Sequence, residues 1–150
     1  MRLQNYAKTG NIKLGAFTAT GQSRKSLACR MAGPIVVPDD MTFNDYIRKA
    51  FQTEFELANV LSENSKVTLT GNLNKVELNS VSGHWIFDMT FYANGNELFT
   101  INADKEFETF FRGDEACKNS AAHFAGAIQL LVEKTCEHPK FMAMFSEKKK

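Results

Sequence analysis

Three cysteines, three histidines and one mid-strand aspartate are the residues here whose type and position suit them to chemistry: Cys29, Cys117, Cys136, His84, His123, His138 and Asp88. Cys117 stands where a loop turns into a helix. A thiol at a helix start has a lowered pKa and suits redox or nucleophilic work. Such work also needs a resolving cysteine at CxxC spacing or a His–acid pair, and neither is evident. The other use of a cysteine is a disulfide. Cys136 lies 19 residues further along what reads as the same helix. At 1.5 Å per residue that is about 28 Å, far beyond bonding reach if the helix is continuous. Cys29 therefore pairs with either Cys117 or Cys136, and the residues alone leave both open.

The histidines form no i, i+4 pair, and none stands at metal-ligand spacing from a cysteine. No metal or other cofactor is expected. Asp39 and Asp40 are adjacent carboxylates, but they precede a helix start, where negative charge is stabilised in any case. Asp88, in "WIFDMTF", would be a candidate base if buried. Alternation instead sets it opposite Trp85 and Phe87, toward solvent. Phosphate loops, nucleophile elbows and HExxH are missing from the sequence.

Elements must position these residues, and size permits a single core. A chain of 150 residues, 43% hydrophobic and 23% charged, is an ordinary globular composition. Eighteen basic and 17 acidic residues leave a net charge of +1, so no field draws a polyanion and nucleic acid is not an expected partner. No stretch approaches the roughly 20 apolar residues of a spanning helix. The opening "MRLQNYAKTG" holds no apolar h-region, so an exported chain would carry its signal segment outside this sequence. "SLAC", ending at Cys29, resembles a lipoprotein cleavage box, but polar "TATGQSRK" precedes it.

Residues 11–20 read as a strand, followed by a turn at "GQSR" and a short extended piece, "KSLACR". Pro34 and Pro38 make "MAGPIVVPDD" a connection or a sheet edge. "MTFNDYIRKAFQTEFELANVL" is a helix from an N-cap at Thr42 to about Leu61, with Met41 and Tyr46 as a hydrophobic staple. Phe43, Ile47, Phe51 and Phe55 mark its apolar face. "KVTLTGNLNKVEL" alternates with Val67, Leu69 and Leu73 on one face, then flips phase to Val76 and Leu78. That requires a bulge near Asn74. Gly71 within it marks a close approach of something bulky. "GHWIFDMTFYANGNELFTINADKEF" is a hairpin. Cross-strand apolar pairing favours a three-residue loop, Asn94 to Asn96, that sets Phe91 against Phe99. One last helix carries Cys117, Ala121, Phe124, Ile128, Leu131, Val132 and Thr135 on a shared face and ends at His138-Pro139. A short docked tail follows. The class is α+β: a two-layer sandwich with two helices on one face of a mostly antiparallel four- to five-stranded sheet. Residues 1–10 are a flexible segment, 11–145 the single domain and 146–150 a basic tail.

"LACRMAGPIVVPDDMTFNDYIRKAFQTEFELANVLSENSKVTLTGNL" resembles a family of small uncharacterised bacterial envelope lipoproteins. The pattern is Cys29-Arg30, Gly33-Pro34, then Phe43, Tyr46, Ile47, Ala50, Glu54 and Ala58, then "TLTG" from Thr68 to Gly71. A later helix start follows at Phe111, Gly113, Cys117, Ala121, Phe124, Ile128 and Leu131. The resemblance spans roughly residues 12–141. It implies an envelope location and a Cys29–Cys117 bridge, with Cys136 left free. The Lys-rich end, the third cysteine and an N-terminus without a lipid-acceptor cysteine depart from the pattern.

The expected role is a non-enzymatic accessory or binding protein of the periplasm or outer membrane of a Gram-negative bacterium. Its partner would be another envelope protein, and it would meet the membrane only through a lipid anchor. Phe110, Phe111 and Trp85 are the apolar residues assigned to a partner or ligand surface. One alternative is a carrier of a small apolar ligand in a Phe-lined pocket, since the chain has 13 Phe. Another is a cone-shaped α+β enzyme using Asp88 or His84 as its base.

Overall fold

A computed structural model describes residues 12–29, 33–109 and 112–144. The terminal segments 1–10 and 146–150 lie outside the described residues. The sheet has four strands: β1 (Lys13–Ala19), β4 (Thr68–Asn79), β5 (His84–Ala93) and β6 (Asn96–Glu106), in the order β1-β4-β5-β6. A separate ribbon pairs β2 (Ser26–Ala28) with β3 (Pro34–Val36). The last three strands of the sheet form an antiparallel meander, whereas β1 runs parallel to β4. Parallel neighbours need a long crossover. Here the ribbon and helix α1 (Phe43–Leu57) supply it.

The phase flip in β4 is a bulge. Leu73 opposes Met89 and Lys75 opposes Asp88, leaving Asn74 unpaired. Gly71 faces the core, where an added Cβ would sit 2.9 Å from Met89 Cε. The hairpin combines two rules. Asn94 (φ 52°) and Gly95 (φ 83°) form a two-residue turn closed by Ala93 and Asn96, not the expected three-residue loop. The register then slips at Leu98, so Phe91 still meets Phe99, with ring centroids 5.5 Å apart. The turn satisfies the backbone locally, and the bulge restores apolar pairing.

Thr42 caps α1, its hydroxyl accepting from the Asp45 N–H at 3.1 Å. The helix ends at Leu57, short of Leu61, because Asn59 turns left-handed at φ 61°. The N–H groups of Asn59 and Val60 bond the carbonyls of Glu56 and Phe55, the two bonds of a Schellman motif. The expected final helix is two: α2 (Gly113–Ala122) and α3 (Phe124–Cys136), broken at His123 (φ −94°, ψ 2°). His123 stacks on Phe107 at 4.9 Å. The break lets Cys117 face the ribbon while Phe124, Ile128 and Leu131 enter the core. A short α4 (Pro139–Ala143) begins with proline at its first turn and buries Phe141.

The helices lie on one face of the sheet. Phe43, Ile47, Phe51 and Phe55 meet Leu69, Trp85, Phe87, Met89 and Phe91, all almost fully buried. Among the described residues, no helix covers the other sheet face, whose side chains are mostly polar.

Candidate functional site

Cys29, just beyond β2, and Cys117, in α2, form a disulfide with Cα atoms 6.0 Å apart and a sequence separation of 88. Both residues are buried. The bond ties the N-terminal ribbon to the helix layer. Disulfides persist in oxidising compartments, so it marks a non-cytoplasmic location. Cys136 is free and buried at the end of α3, and burial pushes its thiol up to about 12. That thiol is structural, with almost no reactive thiolate at neutral pH.

Trp85 is no surface residue. It is fully buried, packs on Phe87 and Phe124, and donates its indole N–H to the Ser120 carbonyl at 2.8 Å. Its alternation partners, Phe87 and Met89, take it inward. The assignment of Phe110 and Phe111 falls outside the described residues. The core phenylalanines pack ring against ring: Phe51 with Phe91 at 5.4 Å, Phe17 with Phe51 at 5.7 Å, and Phe43 with Phe124 at 5.8 Å. These rings fill the space between helices and sheet. A cleft of about 310 Å³ lies instead between α1 and α3, where Tyr46, Ala50 and Ile128 meet Lys49, Glu54 and Gln129.

Asp88 lies on the open face, as alternation requires, and it has company there. Its Oδ1 accepts from Asn74 Nδ2 at 2.8 Å and its Oδ2 from Asn102 Nδ2 at 3.3 Å. Asn74 also donates to Thr90 Oγ1 at 2.9 Å, which pairs with Thr100 Oγ1 at 2.8 Å. Asn72 extends the chain to Thr18, Thr20 and Asn74. One side-chain network therefore crosses all four strands. Asn74 reaches Asp88 because the bulge frees it from a facing residue. Sequence reasoning named Asp88 alone. The missed signal was the run of short amides and hydroxyls at neighbouring outward positions of three adjacent strands, Asn72 and Asn74, Thr90, and Thr100 and Asn102.

His84 and Asp88 are four residues apart on one strand, roughly 13 Å at 3.3 Å per residue, and form no acid–base pair with each other. His84 instead bonds Asp104, Nδ1 to Oδ1, at 2.7 Å. That hydrogen bond raises the imidazole pKa above its ordinary 6.5, against some desolvation, with the charges of Asp104 and Glu106 adding to it. Asp39 bridges Lys49 at 3.7 Å and Asp40 bridges Lys25 at 3.2 Å. Among the described residues, no group of three His, Cys, Asp or Glu is placed to hold a metal ion. No described helix is long and apolar enough to cross a membrane.

The backbone at the two sheet edges differs. At the β1 edge, Arg48 of α1 donates to the carbonyls of Gly15 at 2.7 Å and Leu14 at 3.0 Å, and Asn44 donates to the Phe17 carbonyl at 3.0 Å. At the β6 edge, only Lys134 Nζ on the Asn102 carbonyl (2.9 Å) and Lys140 Nζ on the Leu98 carbonyl (3.3 Å) appear among the described residues.

The fold is similar to that in the crystal structure of protein XCC0632 from Xanthomonas campestris, of the family DUF330. The TM-score is 0.56 at 9% identity, covering 92% of this chain and 83% of that one. A second solved structure, of an uncharacterized protein, aligns with a TM-score of 0.47 at 7% identity over 86% of this chain and 94% of that one. No family model matches the chain, and no curated protein matches it. The first likeness is one of fold, to an uncharacterised bacterial family.

Proposed function

We propose that this chain is a non-enzymatic binding protein of the bacterial cell envelope that works by contacting another envelope protein. The observation that carries the reading is the Cys29–Cys117 disulfide, which supports residence in an oxidising compartment such as the periplasm. Both carboxylate oxygens of Asp88 are held by asparagine amides, which supports a structural role for it over that of a base. Attachment by a lipid belongs to the same proposal and rests on the sequence resemblance.

The test is to express the gene with its native upstream codons, fractionate the cells, and alkylate the non-reduced protein after unfolding. The expected result is protein in the periplasmic or membrane fraction, one linked Cys29–Cys117 peptide and label at Cys136 alone. Cytosolic protein labelled at Cys117 would overturn the proposal.

A further inference from the structure

The ladder between β5 and β6 decides which way the edge of β6 faces. Opposed residues in an antiparallel pair alternate between hydrogen-bonded and non-hydrogen-bonded. Ala93 and Asn96 close the turn, and the Phe107 N–H bonds the Gly83 carbonyl at 2.9 Å at the far end. Beyond the bulge, odd-numbered residues of β6 therefore bond to β5. The N–H and C=O groups of Thr100, Asn102, Asp104 and Glu106 point away from the sheet. The lysine on the Asn102 carbonyl agrees with that direction. Among the described residues, strand β6 ends the sheet, so these groups have no neighbouring strand there.

Charge then says what fits. The same four residues turn exposed side chains to the open face, where Asp104 and Glu106 are acidic. Lys134 and Lys140 reach the edge from the helix layer. A complementary strand carries basic side chains toward the open face and acidic ones toward the helices, alternating with period two. A second copy of this chain joined antiparallel about Asn102 would set its Asp104 beside Thr100 and its Lys134 beside this copy's Lys134, so like cations meet and the acids find no basic partner. The lysines also keep casual strands out, since exposed cations on an edge oppose indiscriminate pairing.

We infer that the β6 edge, centred on Asn102, receives an extended segment of a partner protein as a fifth strand, with basic residues on its open-face side and acidic residues on its helix side. This deepens the binding-protein reading and rests on it.

The test uses the disulfide-intact chain and a capped peptide alternating Lys or Thr on one face with Glu or Val on the other. The readout is amide hydrogen exchange by NMR with peptide up to about 1 mM, the weak end of specific binding. Exchange at Thr100, Asn102 and Asp104 should slow by about tenfold, while Ile101 and Ala103 change little. The same peptide with alternate amides N-methylated should give no protection. Exchange of Asp104→Asn and Glu106→Lys together should weaken the effect of the Lys-bearing peptide by about tenfold. Unchanged exchange, protection elsewhere, or protection that grows with protein concentration in the absence of peptide would each overturn the inference. An exported, disulfide-bonded chain whose β6 amides gain nothing would lose this inference and keep the envelope reading.

Discussion

The two edges of one sheet are finished with different chemistry. Along β1, the extra residue between Leu14 and Phe17 turns carbonyls outward, and α1 meets them with Arg48 and a buried Asn44. Arginine offers a rigid fork that can serve two acceptors at once. Along β6, the carbonyls meet two exposed lysines on flexible stems, held by single contacts. An edge closed by a buried asparagine and a half-buried arginine that spans two carbonyls belongs to the fold. An edge closed by solvated ammonium groups remains available to a partner.

The largest way to break this contrast is covalent. The disulfide also anchors the β1 side, because it ties the ribbon that follows β1 to α2. Reducing it, or exchanging both partners for serine, should cost about 2–5 kcal/mol in urea denaturation. A loss below about 1 kcal/mol would mean that packing alone holds the ribbon. Next comes Asn44→Ala, which leaves the Phe17 carbonyl without its buried donor. It should cost about 1–3 kcal/mol, and an unchanged midpoint would show that the β1 edge is not closed in this way. On the β6 side, Lys134→Ala with Lys140→Ala should move stability by less than about 0.5 kcal/mol. Sedimentation should show more self-association as the guard is lifted. A stability loss as large as that of Asn44→Ala would erase the distinction between the edges.

The smallest effect is pH-dependent. His84 gains Asp104 on folding, so its folded pKa lies above 6.5. The stability from this pair is full below the unfolded pKa and lost as pH rises through the folded one. An NMR titration should place the His84 midpoint above 6.5 and Asp104→Asn should bring it down. No change in that variant would mean that Asp104 is not the cause.

What was legible in the sequence was local. The Thr42 cap is a contact three residues long, and the Asn74 bulge is written in the phase of the alternation. The Phe91–Phe99 pairing followed from side-chain character, although the means differed: a two-residue turn plus a bulge at Leu98 replaced a longer loop. The break at His123 was hidden because its visible partners are tertiary, Phe107 on one side and the Cys29–Cys117 tie on the other. The open-face network and both edge closures were hidden too. Asn44 meets Phe17 and Arg48 meets Gly15 across some 30 residues of chain, and nothing in the local pattern of either segment marks the encounter. Trp85 was assigned to a partner or ligand surface, and it is fully buried. Its strand neighbours carried the better information.

The parallel pairing of β1 with β4 has a consequence in time. The meander β4-β5-β6 joins neighbours in sequence, whereas β1 must find β4 across 55 residues, as in Lys13 to Thr68. Distant pairings close late because their loop entropy is lost before any contact repays it. Helix α3 packs on the meander strands β5 and β6 and buries Cys136, which is 2% exposed. If β1 and the ribbon behind it dock last, one of the two thiols open to Cys29 is by then withdrawn from solution. Such an order of assembly would favour Cys117, and on that account a time course of oxidative refolding, trapped and mapped, should contain little Cys29–Cys136 pairing at any stage.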